Sequence, residues 1–204
     1  MKNNCCRQSP INICPSKIIL SRIDKNNKKL LDIKYKNKEV YSIREKNSNN
    51  FNFKVNNDEN LIAEYNGTNF YLDSYHLHNK SEHRINNQEY LLEVHLVHKN
   101  DSCFLVMAFF INYKEGSSCI FDNMILQKNN HDFKLKNIVD NKFYKYQGSL
   151  TTAPYSENVT WIVFDKILFT SIDIDKIKRM WKNLALSRDL QNYIPKAEVL
   201  TFDS

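Results

Sequence analysis

Five of the six histidines in the 204-residue chain fall within residues 70–98, FYLDSYHLHNKSEHRINNQEYLLEVHLVH. Imidazole is a common metal ligand and titrates near neutrality, so such a cluster offers metal binding or proton transfer. The spacing narrows the choice. Residues 70–78 and 90–98 alternate with period two, and the polar, Asn-rich stretch between them reads as a loop, which predicts a β-hairpin. Successive strand side chains point to opposite faces, so His76 and His78 share a face with Ser74, and His95 shares one with Glu93 and Val97. A register that sets His95 opposite the first pair brings three imidazoles together. Three neutral nitrogens leave one position of a tetrahedral zinc ion open, as in a catalytic rather than a structural site. The competing reading of such histidines is that they are half-buried hydrogen-bonding residues of a sheet.

The rest of the chain supplies strands to flank this hairpin. Segments 30–35, 39–44, 51–55 and 61–65 have strand character between polar turns. Residues 103–113, CFLVMAFFINY, are too apolar to be half exposed and predict a central strand covered on both faces. Strand character returns at 144–150 and 159–164, on either side of a Thr-Thr-Ala-Pro turn, and again in the tail NYIPKAEVLTF. One short helix is expected after Ser117 and Ser118, with Ile120, Phe121, Met124 and Ile125 as its apolar face. A second, capped by Ser171, turns Ile174, Ile177, Trp181 and Leu184 inward. Residues 129–142 read as a polar loop, and 1–16 as an extended entry segment whose SPINI portion lies against the body. Many strands and two minor helices predict a mainly β, α+β fold, in a single domain at this length.

Composition excludes several classes of function. With 42% hydrophobic and 12% aromatic residues the chain can build a core and is not a disordered one. The net charge of +6 comes from lysines scattered from Lys17 to Lys196 without a dense patch, which reads as a solvated basic surface and not a nucleic-acid interface. No apolar stretch approaches membrane-spanning length, and MKNNCCRQSP lacks the apolar core of a signal peptide, so a cytoplasmic or virion-associated protein is expected. Cys5, Cys6, Cys14, Cys103 and Cys119 lack metal-type pairing and are expected as free thiols. In such a compartment the sequons at Asn66, Asn79, Asn100 and Asn158 are chance products of an Asn-rich chain.

Taken in order, QSPINI (8–13), YHLH (75–78), SEH (81–83), EVHLVH (93–98), GSLTTAP (148–154) and NVTWIVF (158–164) resemble the α-class carbonic anhydrases, over a span from about Gln8 to Pro195. The resemblance implies a large, twisted, mostly antiparallel central sheet and zinc-dependent, reversible hydration of carbon dioxide to bicarbonate. It makes His76, His78 and His95 the zinc ligands. Glu93 matches the carboxylate that serves the third ligand, the Asn192 carbonyl matches the acceptor for the second, and Ser74 stands where relatives carry Gln beside the first. Thr151 matches a gatekeeper threonine that donates its proton to a carboxylate, here Glu82, and Thr152 matches a residue that contacts bicarbonate. Val97, Val106, Leu150, Val159 and Trp161 fill the family's carbon dioxide pocket.

Three departures accompany the resemblance. The chain passes from His78 through Asn79 and Lys80 directly to Ser81, where relatives have a longer loop, so Glu82 is expected to sit differently relative to Thr151. The family's histidine proton shuttle falls near Asn49, which does not titrate in the useful range, so proton export is expected to depend on buffer. The family's N-x-R-P is matched to Asn192-Tyr193-Ile194-Pro195, without the arginine. The alternative function is a carbonic-anhydrase-like binding module, for example for glycosaminoglycan attachment, with little or no catalysis.

Overall fold

The computed structural model describes residues 6–17, 19–20, 30–35, 40–44, 52–55, 61–128, 130–131, 135, 142–180, 187–193 and 198–200. Its strands in chain order are β1 (Asn12–Ile13), β2 (Ile19–Leu20), β3 (Leu31–Tyr35), β4 (Val40–Arg44), β5 (Asn52–Val55), β6 (Leu61–Tyr65), β7 (Thr68–Asn79) and β8 (Arg84–Ile85). They continue with β9 (Leu92–Lys99), β10 (Phe104–Tyr113), β11 (Asn130–His131), β12 (Phe143–Gly148), β13 (Val159–Phe164), β14 (Leu168–Thr170) and β15 (Glu198–Leu200). The helices are α1 (Asp122–Ile125) and α2 (Ile174–Met180).

The histidine hairpin is β7 with β9, antiparallel, and it contains one interruption that alternation alone does not foretell. Strict period two would put Phe70, Leu72, Ser74 and His76 on one face. The register shifts between Leu72 and Ser74, so a bulge at Asp73 changes the parity of the strand. Phe70 and Leu72 before it and Tyr75 and Leu77 after it then pack into the same core. His76 and His78 are left on the other face, with His76 opposite His95 and His78 opposite Glu93.

From this pair the sheet extends both ways. β9 leads to β10, β13, β12, β15 and β2, and β7 leads to β5, β4 and β11, with β14 on β10 and β3 reached through β6. The thirteen strands so joined, among the described residues, are antiparallel through most of the path and parallel at β10–β13, β10–β14 and β15–β2. β10 is covered on both faces, as 103–113 predicted. Leu105, Met107, Phe109 and Ile111 join one core with Leu92, Val94 and Leu96, while Val106, Ala108 and Phe110 join a second with Val159, Trp161 and Val163. Each such Leu, Ile, Val, Phe or Met side chain contributes about 1.5–3 kcal/mol by leaving water. The site belongs to the second layer. There β1 pairs with β8 and buries Ile11 and Ile13, fastening the entry segment to the loop between the two histidine strands.

Both helices form where expected but with other caps. No side-chain bond caps α1 at Phe121, and neither Ser117 nor Ser118 serves; Asp122 instead accepts the Cys119 N–H at 3.2 Å and the Thr170 hydroxyl at 2.7 Å. Asp173, not Ser171, caps α2, accepting the N–H groups of Asp175 at 2.8 Å and Lys176 at 3.0 Å, because its carboxylate directly precedes the first turn. Ile177 is buried, and Trp181 and Leu184 lie outside the described residues. Cys6, Cys14, Cys103 and Cys119 are free thiols, and no helix among the described residues is long and apolar enough to cross a membrane.

Candidate metal centre

The cross-strand register sets the geometry of the imidazoles. The ring centroids of His76, His78 and His95 lie 4.7–5.0 Å apart, and one nitrogen from each ring falls within 4.8 Å of the others. His95 Nδ1 stands 3.1 Å from His76 Nε2. A zinc ion about 2.0–2.1 Å from each nitrogen fits inside that spacing. Behind His95, across the strand pair, is Ala108, whose small side chain leaves the ring room, and Trp161 lies against it at 4.9 Å.

Burial controls the protonation of the three rings. It pushes His76 down to about 3, with the charge of His78 adding to the effect, and it pushes His78 well below the ordinary imidazole range. Burial also lowers His95, to about 4, even though Glu93 pulls the other way. All three are neutral at pH 7 and present lone pairs, the form a metal needs. Among the buried polar atoms without a hydrogen-bond partner are His76 Nδ1, both ring nitrogens of His78, and Glu82 Oε2. Such orphans are costly in a core, and a cation held by the three rings would employ His78 Nε2. A second group, His83, Glu93 and His95, also has metal-like spacing. Its members satisfy one another with hydrogen bonds, so a cation there would have to break bonds already made.

That second group is a support for the first. Glu93, fully buried, accepts from His95 Nε2 at 2.7 Å, from His83 Nδ1 at 2.7 Å and from the His83 N–H at 2.8 Å. Burial alone would raise its carboxyl, but the two imidazoles and their bonds outweigh it and hold the carboxyl well below its usual range. With Nε2–H committed to Glu93, His95 turns its Nδ1 lone pair toward His76. His83 reaches on through Nε2 to the Tyr146 hydroxyl at 2.6 Å, which donates to Ser9 Oγ at 2.9 Å. His83, Tyr146 and Ser9 were not among the site residues expected from sequence. His83 lay inside the SEH motif, but Tyr146 is 63 residues from it in sequence and Ser9 is 137 residues from Tyr146, separations that only folding closes.

The supports expected for the other two rings are not made. His76 Nδ1 has no partner, so Ser74, though buried beside it on β7, does not replace a longer side chain. His78 Nδ1 has none either, so the Asn192 carbonyl does not bond it; Asn192 is exposed. Ile194 lies outside the described residues, but Arg188 brings a guanidinium to the site's edge and donates its backbone N–H to Glu82 Oε1 at 2.9 Å.

Glu82 and Thr151 are both buried. Burial raises the Glu82 carboxyl to about 8, opposed by a hydrogen bond from the Thr151 hydroxyl and by the Arg188 N–H. Positive charge beside His78, whose Nε2 is 3.4 Å from Glu82 Oε2, would favour the ionised form. Thr151 is buried and Thr152 half-buried in the turn after β12, where Trp161 Nε1 donates to the Ser149 carbonyl at 3.0 Å. Val97, Val106, Val159 and Trp161 form one buried apolar cluster with Leu150 against it, and register explains it: Val106 faces Val97 on one side and Trp161 on the other. Asn49 lies outside the described residues.

Comparison with known proteins agrees with this geometry. The family model for eukaryotic-type carbonic anhydrases matches residues 2–194. Alpha carbonic anhydrase 3 of Arabidopsis thaliana is 30% identical over 178 residues, which cover 79% of this chain and 61% of the relative, so the chain spans less than two thirds of that protein's length. Among solved structures, dioscorin complexed with ascorbate superposes with a TM-score of 0.77 at 21% identity, covering 96% of this chain and 86% of dioscorin. The α-carbonic anhydrase of Thermovibrio ammonificans, complexed with the inhibitor sulfanilamide, superposes at 0.76 with 22% identity, covering 96% and 87%. With the matched family spanning nearly all of it and the fold shared with these structures, the chain belongs to the eukaryotic-type, or α-class, carbonic anhydrases.

Proposed function

We propose that this chain is a zinc-dependent carbonic anhydrase, with His76, His78 and His95 as the ligands. The observation that carries the reading is the group of three neutral imidazoles whose nitrogens lie within 4.8 Å of one another, with His76 Nδ1 and both ring nitrogens of His78 unpartnered, beside an apolar wall. A zinc ion held by three imidazoles acidifies a coordinated water to a pKa near 7, the value established for carbonic anhydrases themselves. The reaction adds a water-derived oxygen to the carbon of carbon dioxide and releases one proton.

The chain's own groups divide the remaining work. Glu93 fixes the tautomer of His95 and leaves its Nδ1 free. Thr151, by giving its hydroxyl proton to Glu82, would keep its oxygen as an acceptor and aim a nucleophile's lone pair at the substrate. Val97, Val106, Leu150, Val159 and Trp161 offer carbon dioxide a dry wall, which suits a substrate without charge. Thr152, half-buried, is the residue that would contact bicarbonate. With asparagine at position 49, protons leave through buffer or water.

A binding module that kept the fold without the reaction would have no chemical use for the unpartnered ring nitrogens of His76 and His78 gathered beside His95, which are costly to shield from water. The discriminating experiment measures zinc content and carbon dioxide hydration on the same purified sample. One zinc per chain with hydration, both lost in His95→Ala, is expected; substoichiometric metal unchanged by His95→Ala would refute the reading.

A further inference from the structure

We propose that the edge of β14 carries a binding site for an amphiphilic carboxylate, by chemical class a free fatty acid, separate from the metal centre. A groove of about 900 Å³ runs along that edge, between residues 166–169 and the stretch 117–123. Small-molecule sites occupy about 300–1,000 Å³, so it has the size of one. Leu168 belongs to the first core and Ile167 packs against the second, so the groove opens where the two layers meet, and none of its lining residues takes part in the metal centre. Its walls are fixed to each other. Asp122 spans them, accepting the Thr170 hydroxyl at 2.7 Å and the Cys119 N–H at 3.2 Å, and the Ser171 N–H donates to the Ser117 carbonyl at 2.9 Å.

The groove offers a ligand apolar surface and hydrogen-bond donors. Ile120, Ile167, Leu168 and Phe169 line it, and Phe169 is 40% exposed, a large aromatic side chain left uncovered. Asp122 is the one carboxylate in the lining, and both its oxygens are taken by the bonds that join the walls. Lys166, exposed in the lining, has no ion-pair partner among the described residues. Lys114 adds a second positive charge, 5.7 Å from the centroid of the Phe169 ring. A main-chain donor is available as well. β14 runs parallel to β10, and the Thr170 carbonyl accepts the Lys114 N–H at 2.9 Å; alternate residues of a strand turn their main-chain groups to alternate edges, so the Phe169 N–H faces away from β10, on the same edge as the Ser171 N–H that meets Ser117. An unpaired ammonium beside N–H donors calls for an anion, and the apolar walls call for an apolar tail. Lysines on a short edge disfavour pairing with another strand, so the occupant is a small anion and not a second chain.

The test titrates the zinc-loaded protein with dodecanoate, below its micelle-forming concentration, in a calorimeter. One molecule per chain should bind, and dodecanol, the same tail without the charge, should bind at least about tenfold more weakly. Lys166→Met keeps an apolar stem and removes the ammonium, and Phe169→Ser removes the aromatic wall; each should raise the Kd for dodecanoate about tenfold or more. Zinc content should match wild type in both variants, since neither side chain touches the metal centre. Because a carboxylate can also ligate zinc, the titration is repeated after the metal is stripped with a chelator, and the Kd should be unchanged. Absence of binding, dodecanol binding as tightly as dodecanoate, wild-type affinity in either variant, or binding that disappears with the metal would each overturn the proposal. None of these outcomes depends on whether the protein hydrates carbon dioxide.

Discussion

Glu93 is the place where a single atom change tests both the fold and the metal centre. Its Oε1 takes two imidazole N–H bonds at 2.7 Å and its Oε2 takes a main-chain N–H at 2.8 Å, with the whole side chain out of water. Glu93→Ala leaves three buried donors unpaired, at about 1–3 kcal/mol each. Part of that loss is offset because a carboxylate no longer has to be desolvated, so the net cost is about 3–5 kcal/mol, as for removing one partner of a buried ion pair. Against a total stability of about 5–15 kcal/mol, this leaves the metal-free protein marginal. Glu93→Gln keeps the volume. With its oxygen toward the two rings, its amide nitrogen faces the His83 N–H, so one bond is lost and a donor meets a donor, at about 1–3 kcal/mol. Because a neutral acceptor makes His95 a weaker base, zinc affinity should fall about 10–100-fold. Urea unfolding of the metal-free proteins checks the first pair of numbers, and competition with a chromophoric chelator checks the last. Glu93→Ala within about 0.5 kcal/mol of wild type, or undiminished zinc affinity in Glu93→Gln, would refute the reasoning.

Other consequences follow from single contacts. Thr151→Ala should lower hydration by tenfold or more, about 1.4 kcal/mol or above in the barrier, while zinc content measured on the same sample stays unchanged. A Cβ on Gly148 would sit 2.2 Å from Ser9 Oγ and 2.7 Å from the Tyr146 ring, so Gly148→Ala should cost about 1–3 kcal/mol in urea unfolding. Burial holds His98 down to about 4 from the 6.5 of a free imidazole, so its neutral form contributes stability that is full above pH 6.5 and lost as pH falls toward 4. That loss is about 3 kcal/mol, and the drop in urea midpoint between pH 7 and pH 4.5 should be shallower in His98→Gln. Turnover should rise with imidazole buffer, and Asn49→His should raise it in dilute buffer with kcat/KM nearly unchanged; buffer-independent turnover would refute proton export as the limiting step.

What was legible in the sequence, and what was not, follows from the range of each interaction. Period-two runs at 61–65 and 159–164 became strands at those limits, because alternation is a local property read residue by residue. The histidine hairpin was legible for the same reason. The bulge at Asp73 was not, since it depends on how β7 matches β9 and not on β7 alone. Strands of two or three residues such as β1, β8 and β14 also escaped, because nothing in Asn12–Ile13 or Arg84–Ile85 signals a partner 72 residues away. Arg188 stands outside every motif read from the sequence, and its contacts with Glu82 and the Ser9 carbonyl arise only through folding.

β9 carries the sharpest lesson about reading histidines. It is buried along both faces, and it places His95 on one and His98 on the other, three residues apart and equally shielded from water. The same desolvation holds both to about 4. Their nitrogens separate them. His98 donates Nδ1–H to the Leu96 carbonyl at 3.2 Å and accepts the Tyr35 hydroxyl at Nε2 at 2.5 Å, so both its nitrogens are used by protein and it needs no metal. His95 spends one nitrogen on Glu93 and turns the other toward His76 and the unpartnered nitrogens of His78. Burial and pKa therefore cannot identify a ligand, because they are the same for both rings; the accounting of lone pairs can. Applied to the five histidines of the hairpin, that accounting sets His83 and His98 aside as internally satisfied and leaves His76, His78 and His95, the three whose strand register already faces them toward one point.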